Sequence, residues 1–334
     1  MNGLLRARWA PLLAATILLG IVMGAVTRSF GTAFNVYVIL QTAALDTVIG
    51  LSQMVVLAAG DLSLAVGGLA AMCTIIIGYL FQVHHWPAGL AVLAGLVLGT
   101  AGGFANGVII AQTKLSGFIV TLATGTAFTG IAYGISGSAA YSDVPSSVVK
   151  LSQGRASFFP YLMILALAVT VIIYAGLRWL PGGRLILAFG GNRDATMLAG
   201  LSSRRAQVTA HTVSGLLAGV AAVMYMGIIG TATPAAGGDW LIVSFAVPII
   251  GGTALAGGEV SAFGALVAAV VLSAISDALI VLNVSTNAVE MAEGLLILAA
   301  VLASRLGEAA QRQAGRPGAF KWPAFRWLVF GRRA

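Results

Sequence analysis

The sequence predicts an all-α fold, a polytopic transmembrane helical bundle of about ten spans. Three observations carry this expectation. Hydrophobic residues make up 59% of the chain and charged residues 8%, with a mean hydropathy of +0.99. An ordinary soluble domain is roughly a quarter charged, so the solvent for most of this surface is lipid. The apolar residues fall in runs of about 20, the length that crosses a bilayer as a helix. Finally, the basic residues sit in short intervals between runs, with no Lys or Arg between Arg28 and Lys114 or between Arg205 and Arg305.

Taken in order, the runs place spans near 9–27, 32–58, 62–81, 88–111, 117–136, 158–178, 207–230, 241–257, 261–282 and 287–304. The first follows Arg6 and Arg8 and resembles a secretory signal. Its best cleavage site, Gly24-Ala25-Val26-Thr27-Arg28, is mediocre, and nine further spans favour an uncleaved helix. Only Ala59-Gly60-Asp61 separates the second and third spans, and only Gly257-Gly258-Glu259 separates the eighth and ninth. The 43 glycines fall largely inside the runs, as expected where membrane helices approach closely. Cys73 lies in an apolar stretch and reads as a small buried hydrophobe.

Ten spans put both termini on one side. That side holds Arg6, Arg8, Lys114, Arg178, Arg184, Arg193, Arg204, Arg205 and the seven basic residues from Arg305 to Arg333. The other side holds Arg28, Lys150 and Arg155. The positive-inside rule makes the first side cytoplasmic. This places the chain in the cell inner membrane with both termini inside. The permease domain would cover 1–304, with an inward loop at 181–205. A basic cytoplasmic tail, 305–334, carries Trp322, Phe325 and Trp327 and suits an anionic lipid surface. The net charge of +8 follows topology, so nucleic acid is not expected as a partner.

Catalytic chemistry is not legible. The three lysines, Lys114, Lys150 and Lys321, never follow glycine, so there is no Gly-Lys-Ser/Thr phosphate loop. His84 and His85 form a short outward loop with Trp86-Pro87, and no metal-ligand spacing accompanies them. The expectation is a transporter subunit, not an enzyme, with no cofactor. Asp46 and Asp277 lie within spans and Glu290 near the outer end of the last. They would be the coupling acids of a proton- or sodium-driven carrier, the alternative reading.

Four segments carry a resemblance. They are Gly60-Asp61-Leu62-Ser63-Leu64-Ala65-Val66-Gly67; Asn106 to Ala111 with Gly117-Phe118-Ile119-Val120-Thr121-Leu122; Gly190-Gly191-Asn192-Arg193-Asp194-Ala195-Thr196 through Gly200; and Gly251-Gly252-Thr253-Ala254-Leu255-Ala256-Gly257-Gly258. In this order the chain resembles, over roughly 30–304, the permeases of ribose-, xylose- and arabinose-type ABC importers. It departs from them in lacking an isoleucine before Asp61, in Gly117 where the family prefers Pro, in Thr129 where it usually has Arg, and in Leu241-Ile242 where it often has Leu-Asp.

The resemblance implies a type II importer-like bundle that translocates a small sugar. Its partners would be a separate ATP-binding-cassette ATPase subunit, a periplasmic sugar-binding protein and a second permease, identical or not. It also implies that the short helix in the inward loop docks on the ATPase, with Gly191, Asn192, Asp194, Ala195 and Gly200 as its residues. Physical signals agree on that helix, since Asn192 can cap it, Asp194 complements its positive end and Gly200 can close it. Candidate path residues are Asn106, Phe118, Thr121 and Thr253. Gly60, Asp61, Ser63, Gly257, Gly258 and Glu259 form two similar turns, Gly-Asp-Leu-Ser and Gly-Glu-Val-Ser. These turns read either as caps of the following spans or as a hinge or gate.

Overall fold

A computed structural model describes residues 17–18, 20–24, 26–27, 30–113, 115–285, 287–289, 291–295, 298–299 and 302. Its apolar helices are α1 (Ala33–Ala58), α2 (Val66–Gln82), α3 (Ala88–Thr113), α4 (Gly117–Ser136), α6 (Tyr161–Trp179), α9 (Ser203–Ile229), α10 (Trp240–Ile250) and α11 (Ala262–Val281). Three shorter helices lie between them: α5 (Ser146–Gln153), α7 (Pro181–Gly191) and α8 (Arg193–Leu198). Six of the apolar helices are long enough to cross a membrane. The first expected span, the last span, Glu290 and the basic tail fall partly or wholly outside the described residues.

Local chemistry explains several ends. The Thr32 hydroxyl accepts from the Asn35 N–H (3.3 Å) at the start of α1. The Ser202 hydroxyl does the same for Arg205 at α9. Gly137 and Gly230 end α4 and α9 in the left-handed conformation. One antiparallel hairpin, β1 (Arg155–Ala156) with β2 (Phe159–Pro160), departs from an all-α reading. It lies in the segment 137–160.

The helices alternate in direction. One end of the bundle carries 83–87 and 137–160. The other carries 115–116, 180–202 and the cluster Arg184, Arg193, Arg204 and Arg205. At this basic end the expected inward loop is two helices, α7 and α8, and α9 starts at Ser203 rather than 207.

Packing centres on α1 and α9. The heaviest contact is between α9 and α3, and it is made of glycine. Gly95, Gly99, Gly103 and Gly107 form a stripe at every fourth residue of α3. Gly99 and Gly103 meet Gly215 of α9 backbone to backbone, and a Cβ on any of the three would overlap the partner helix. Without a hydrophobic force between helices in lipid, such close approach supplies the dispersion contact that holds them.

Two spans are not continuous helices. The expected third span, 62–81, begins as a helix only at Val66; residues 61–65 are non-helical. The expected eighth span, 241–257, is helical only to Ile250, and 251–261 is irregular. α2 has 17 residues and α10 has 11. At 1.5 Å per residue they rise about 25 and about 16 Å against a hydrocarbon core of about 30 Å. Hence neither crosses alone.

The glycine stripe yields a stability expectation. Gly103→Val should destabilise the detergent-solubilised chain by about 1–3 kcal/mol through overpacking. Gly176→Val, where a Cβ meets only the Leu180 side chain at 3.8 Å, should cost far less. Thermal aggregation followed by size-exclusion chromatography compares the two. Equal losses would contradict the assigned packing.

Candidate functional site

Two non-helical stretches, 61–65 and 231–239, meet in the interior. Residues 231–239 leave the end of α9 and run alongside α2. Ala232 bridges to Tyr141 and packs on Gly78 near one end of α2, while Gly237 packs on Gly67 at its start. The Gly67 and Gly237 backbones are so close that neither position admits a Cβ, and Gly237 also has φ +80°. From the basic end, Asp61–Ala65 runs inward to the same level. Non-helical backbone at membrane depth is tolerated only when buried in protein or lining a cavity.

Both conditions hold here. Gln53, fully buried, pairs with Ser63 when its amide is turned to match its neighbours, accepting from the Ser63 N–H (3.2 Å) and donating to its C=O (2.9 Å). The Thr121 hydroxyl accepts from the Leu64 N–H at 2.9 Å and donates to the Gly117 carbonyl at 2.6 Å. Tight turns satisfy the Ala236 and Gly238 N–H groups. Beside them opens a cleft of about 410 Å³. Its walls are Leu64, Gly67 and Gly68; the backbone of 234–238; and Thr126, Thr129 and Tyr133 of α4. No acid, Lys, Arg or His lines it. The cleft offers hydroxyls, peptide groups and apolar surface, which suit an uncharged polar solute.

Thr126 and Tyr133 were not singled out from the sequence, and Thr129 only as a departure from the family's Arg. Their signal was a stripe at helical spacing, with Leu122, along an otherwise apolar span. The four expected path residues lie outside the cleft lining. Thr121 is buried and pins Leu64, which does line it. Asn106 is buried with its Oδ1 unpaired, beside Ser63, His211 and Ser214 around a void of about 10 Å³. Thr253 is buried near the end of α10, its hydroxyl unpaired. Phe118 is 45% exposed on the outside of α4.

The expected hinge residues do come together. At the basic end, the Gly258 N–H donates to the Ala58 carbonyl at 3.0 Å. Gly190 packs on Ala58 and Gly258, Gly257 on Gly60 and Gly190, and Gly258 on Gly191. Gly60 (φ +67°), Gly257 (φ +91°) and Gly258 (φ +81°) are all left-handed. The two Gly-acid-X-Ser turns part company at their polar residues. The Ser261 hydroxyl caps α11 by accepting from the Gly264 N–H (3.1 Å). Neither Asp61 nor Ser63 caps α2, whose N-cap is Ala65. Glu259 accepts from the Ala254 N–H through its carbonyl.

Asp61 instead faces His211 of α9, Oδ2 to Nε2 at 3.2 Å, while its Oδ1 accepts from the Leu62 N–H. Gly117 leaves the carboxylate room that a Cβ would take. The acids within the spans have partners too: Ser273 donates to Asp46 at 2.8 Å and Asn35 to Asp277 at 2.6 Å.

The loop helix α8 is short and rigidly started. Asn192 Oδ1 accepts from the Ala195 N–H at 2.9 Å, Asp194 lies in the first turn, and Gly200 is left-handed at φ +74°. Its apolar residues Met197 and Leu198 are 53% and 89% exposed, and Leu201, just beyond its end, is 47% exposed. Exposed apolar residues in a cluster mark an interaction surface. A groove of about 670 Å³, lined by Asp61, Phe189, Arg193, Met197 and Gln207 among others, opens beside them.

Comparison with known proteins supplies an independent line. The sequence model of the family described as branched-chain amino acid transport system / permease component matches residues 35–301. The chain is 29% identical, over 86% of its length and 90% of the relative's, to the ribose import permease protein RbsC of Haemophilus influenzae. It is 28% identical, over 87% and 82%, to the fructose import permease protein FrcC of Rhizobium meliloti. The L-arabinose ABC transporter permease protein AraH of Azospirillum brasilense is 29% identical over 82% and 80%. No solved structure matches.

The α8 cap gives a local test. Asn192→Ala should weaken α8 by about 1 kcal/mol, read as roughly fivefold faster amide exchange at residues 195–199. Unchanged exchange would mean that the cap does not hold the helix.

Proposed function

The chain belongs to the branched-chain amino acid transport system / permease component family, and from that premise we propose that it is the membrane-spanning subunit of an ATP-driven importer of a small sugar. The observation that carries the cargo class is the cleft without ionisable acid or base. An amino acid would bring two charges into a chamber that offers no counter-charge, at a high desolvation cost. A sugar brings only hydroxyls, which Thr126, Thr129, Tyr133 and the peptide groups of 234–238 can meet. Relatives named as ribose, fructose and arabinose permeases support the same class.

Energy would come from a separate ATPase subunit, because the sequence has no phosphate loop. That subunit would dock on α8 and the turn after it, where exposed Met197, Leu198 and Leu201 suit a protein groove outside the bilayer. A periplasmic binding protein would deliver the sugar at the opposite end. A second permease would close the path. α4 is only 22% buried over its apolar window, yet its exposed face carries Thr126, Tyr133 and the open cleft. Lipid is a poor cover for such a face. The full topology is ten spans with both termini cytoplasmic. Its supports are the charge asymmetry and the gathering of Arg184, Arg193, Arg204 and Arg205 at one end.

Two experiments test this reading. Reconstituted with its ATPase and binding protein, the chain should accumulate sugar only with ATP, and Thr129→Phe should cut uptake more than tenfold without releasing the ATPase. Concentrative uptake by the chain alone, on an imposed proton or sodium gradient, would refute it. For topology, Ser147→Cys in the exposed 137–160 segment should react with an impermeant maleimide from the periplasm, against a silent background because Cys73 is buried. Reaction only after permeabilisation would overturn the orientation.

A further inference from the structure

We infer that Arg193 and the Asp61–His211 pair tie the ATPase-docking helix to the floor of the cleft, through the seven residues Ala59–Ala65. The inference rests on the reading of α8 as the docking helix.

The contacts form one continuous line. Arg193 is the first residue of α8. Its guanidinium packs over the Phe189 ring, 5.0 Å from the centroid, and Nη2 donates to the Gly60 carbonyl at 2.9 Å. One residue on, Asp61 is held by His211, which is 2% exposed on the long helix α9. Three residues further, Leu64 is pinned by Thr121 of α4 and lines the cleft, with Gly67 and Gly68 beyond it. Contacts with Arg193, Gln53, His211 and Thr121 hold this non-helical segment at successive points, so a displacement at one end is passed along it. The Asp61 carboxylate meets the His211 ring on a spanning helix at 3.2 Å, so this pair serves as the pivot. A shift of α8 at Gly60 then swings Leu64 and the start of α2 against the cleft. Docking alone does not require this arrangement: the apolar residues offered for docking, Met197, Leu198 and Leu201, do not include Arg193. Arg193, Asp61 and His211 are thus positioning residues. They touch neither ATP nor cargo.

The test is the ratio of sugar moved to ATP hydrolysed by the full complex in proteoliposomes. Arg193→Ala and Asp61→Asn should each keep ATPase association and hydrolysis within about twofold. Each should lower sugar per ATP about tenfold, and Arg193→Lys, which keeps a donor for Gly60, should recover much of the loss. In the same background, Thr126→Cys should change its reactivity towards a water-soluble thiol reagent on vanadate trapping. Adding Arg193→Ala should abolish that change. Asp61→Asn preserves shape and carries the comparison if Arg193→Ala does not assemble. A normal ratio in either assembled variant would overturn the inference, as would uptake and hydrolysis falling in proportion. Loss of ATPase binding or ATP-driven uptake by the unaltered complex would instead count against the functional reading.

Discussion

Everything in this molecule follows from one constraint: backbone N–H and C=O groups surrounded by lipid must find partners within the protein. Continuous helices meet it automatically. The chain breaks the rule twice, at 59–65 and at 230–239, and both breaks are rebuilt with side-chain partners and glycine contacts. Gln53 and Thr121 satisfy the first. Tight turns satisfy the second, and Gly67 against Gly237 closes the gap between them. A buried polar group left without a partner costs about 1–3 kcal/mol, so two such breaks persist only where they do something. Here they open a neutral, hydroxyl-lined chamber.

The breaks also organise the basic end. Ala58, Gly60, Gly190, Gly191, Gly257 and Gly258 come from three distant stretches of chain and pack without side chains between them. Backbone packed this closely has little slack, and it joins the end of α7 to the end of α1 and to the 251–261 stretch. The apolar surface of α8 faces away from this junction. That division of labour, one face for a partner and the other for the spans, is what a coupling element needs.

Much of this was legible in the sequence because lipid simplifies the code. Apolar runs marked the spans, and α4 begins and ends as expected, at Gly117 and Ser136. Asn192 and Gly200 punctuated α8 through capping rules that hold in any solvent. The misses share a cause. The end of α10 at Ile250 and the non-helical run 231–239 lie in sequence that is apolar or glycine-rich throughout, so hydropathy does not separate helix from re-entrant chain. Asp61 looked like a cap because acid and Ser suit a helix start. Its true partner, His211, is 150 residues away, and no local pattern announces a long-range pair. Asn106, Thr121 and Thr253 were chosen as scattered polar residues within family-like segments, whereas the cleft is lined by a helical stripe and by bare backbone.

The central claim is that the two re-entrant segments and α4 enclose a water-accessible chamber within the bilayer. Its most direct measurement is a cysteine scan of residues 122–134 of α4 in membrane vesicles, using a small charged thiol reagent. The account predicts reaction at Thr126, Thr129 and Tyr133, with a helical period and slowing as sugar is added to the assembled importer. Silence at all three positions would contradict it.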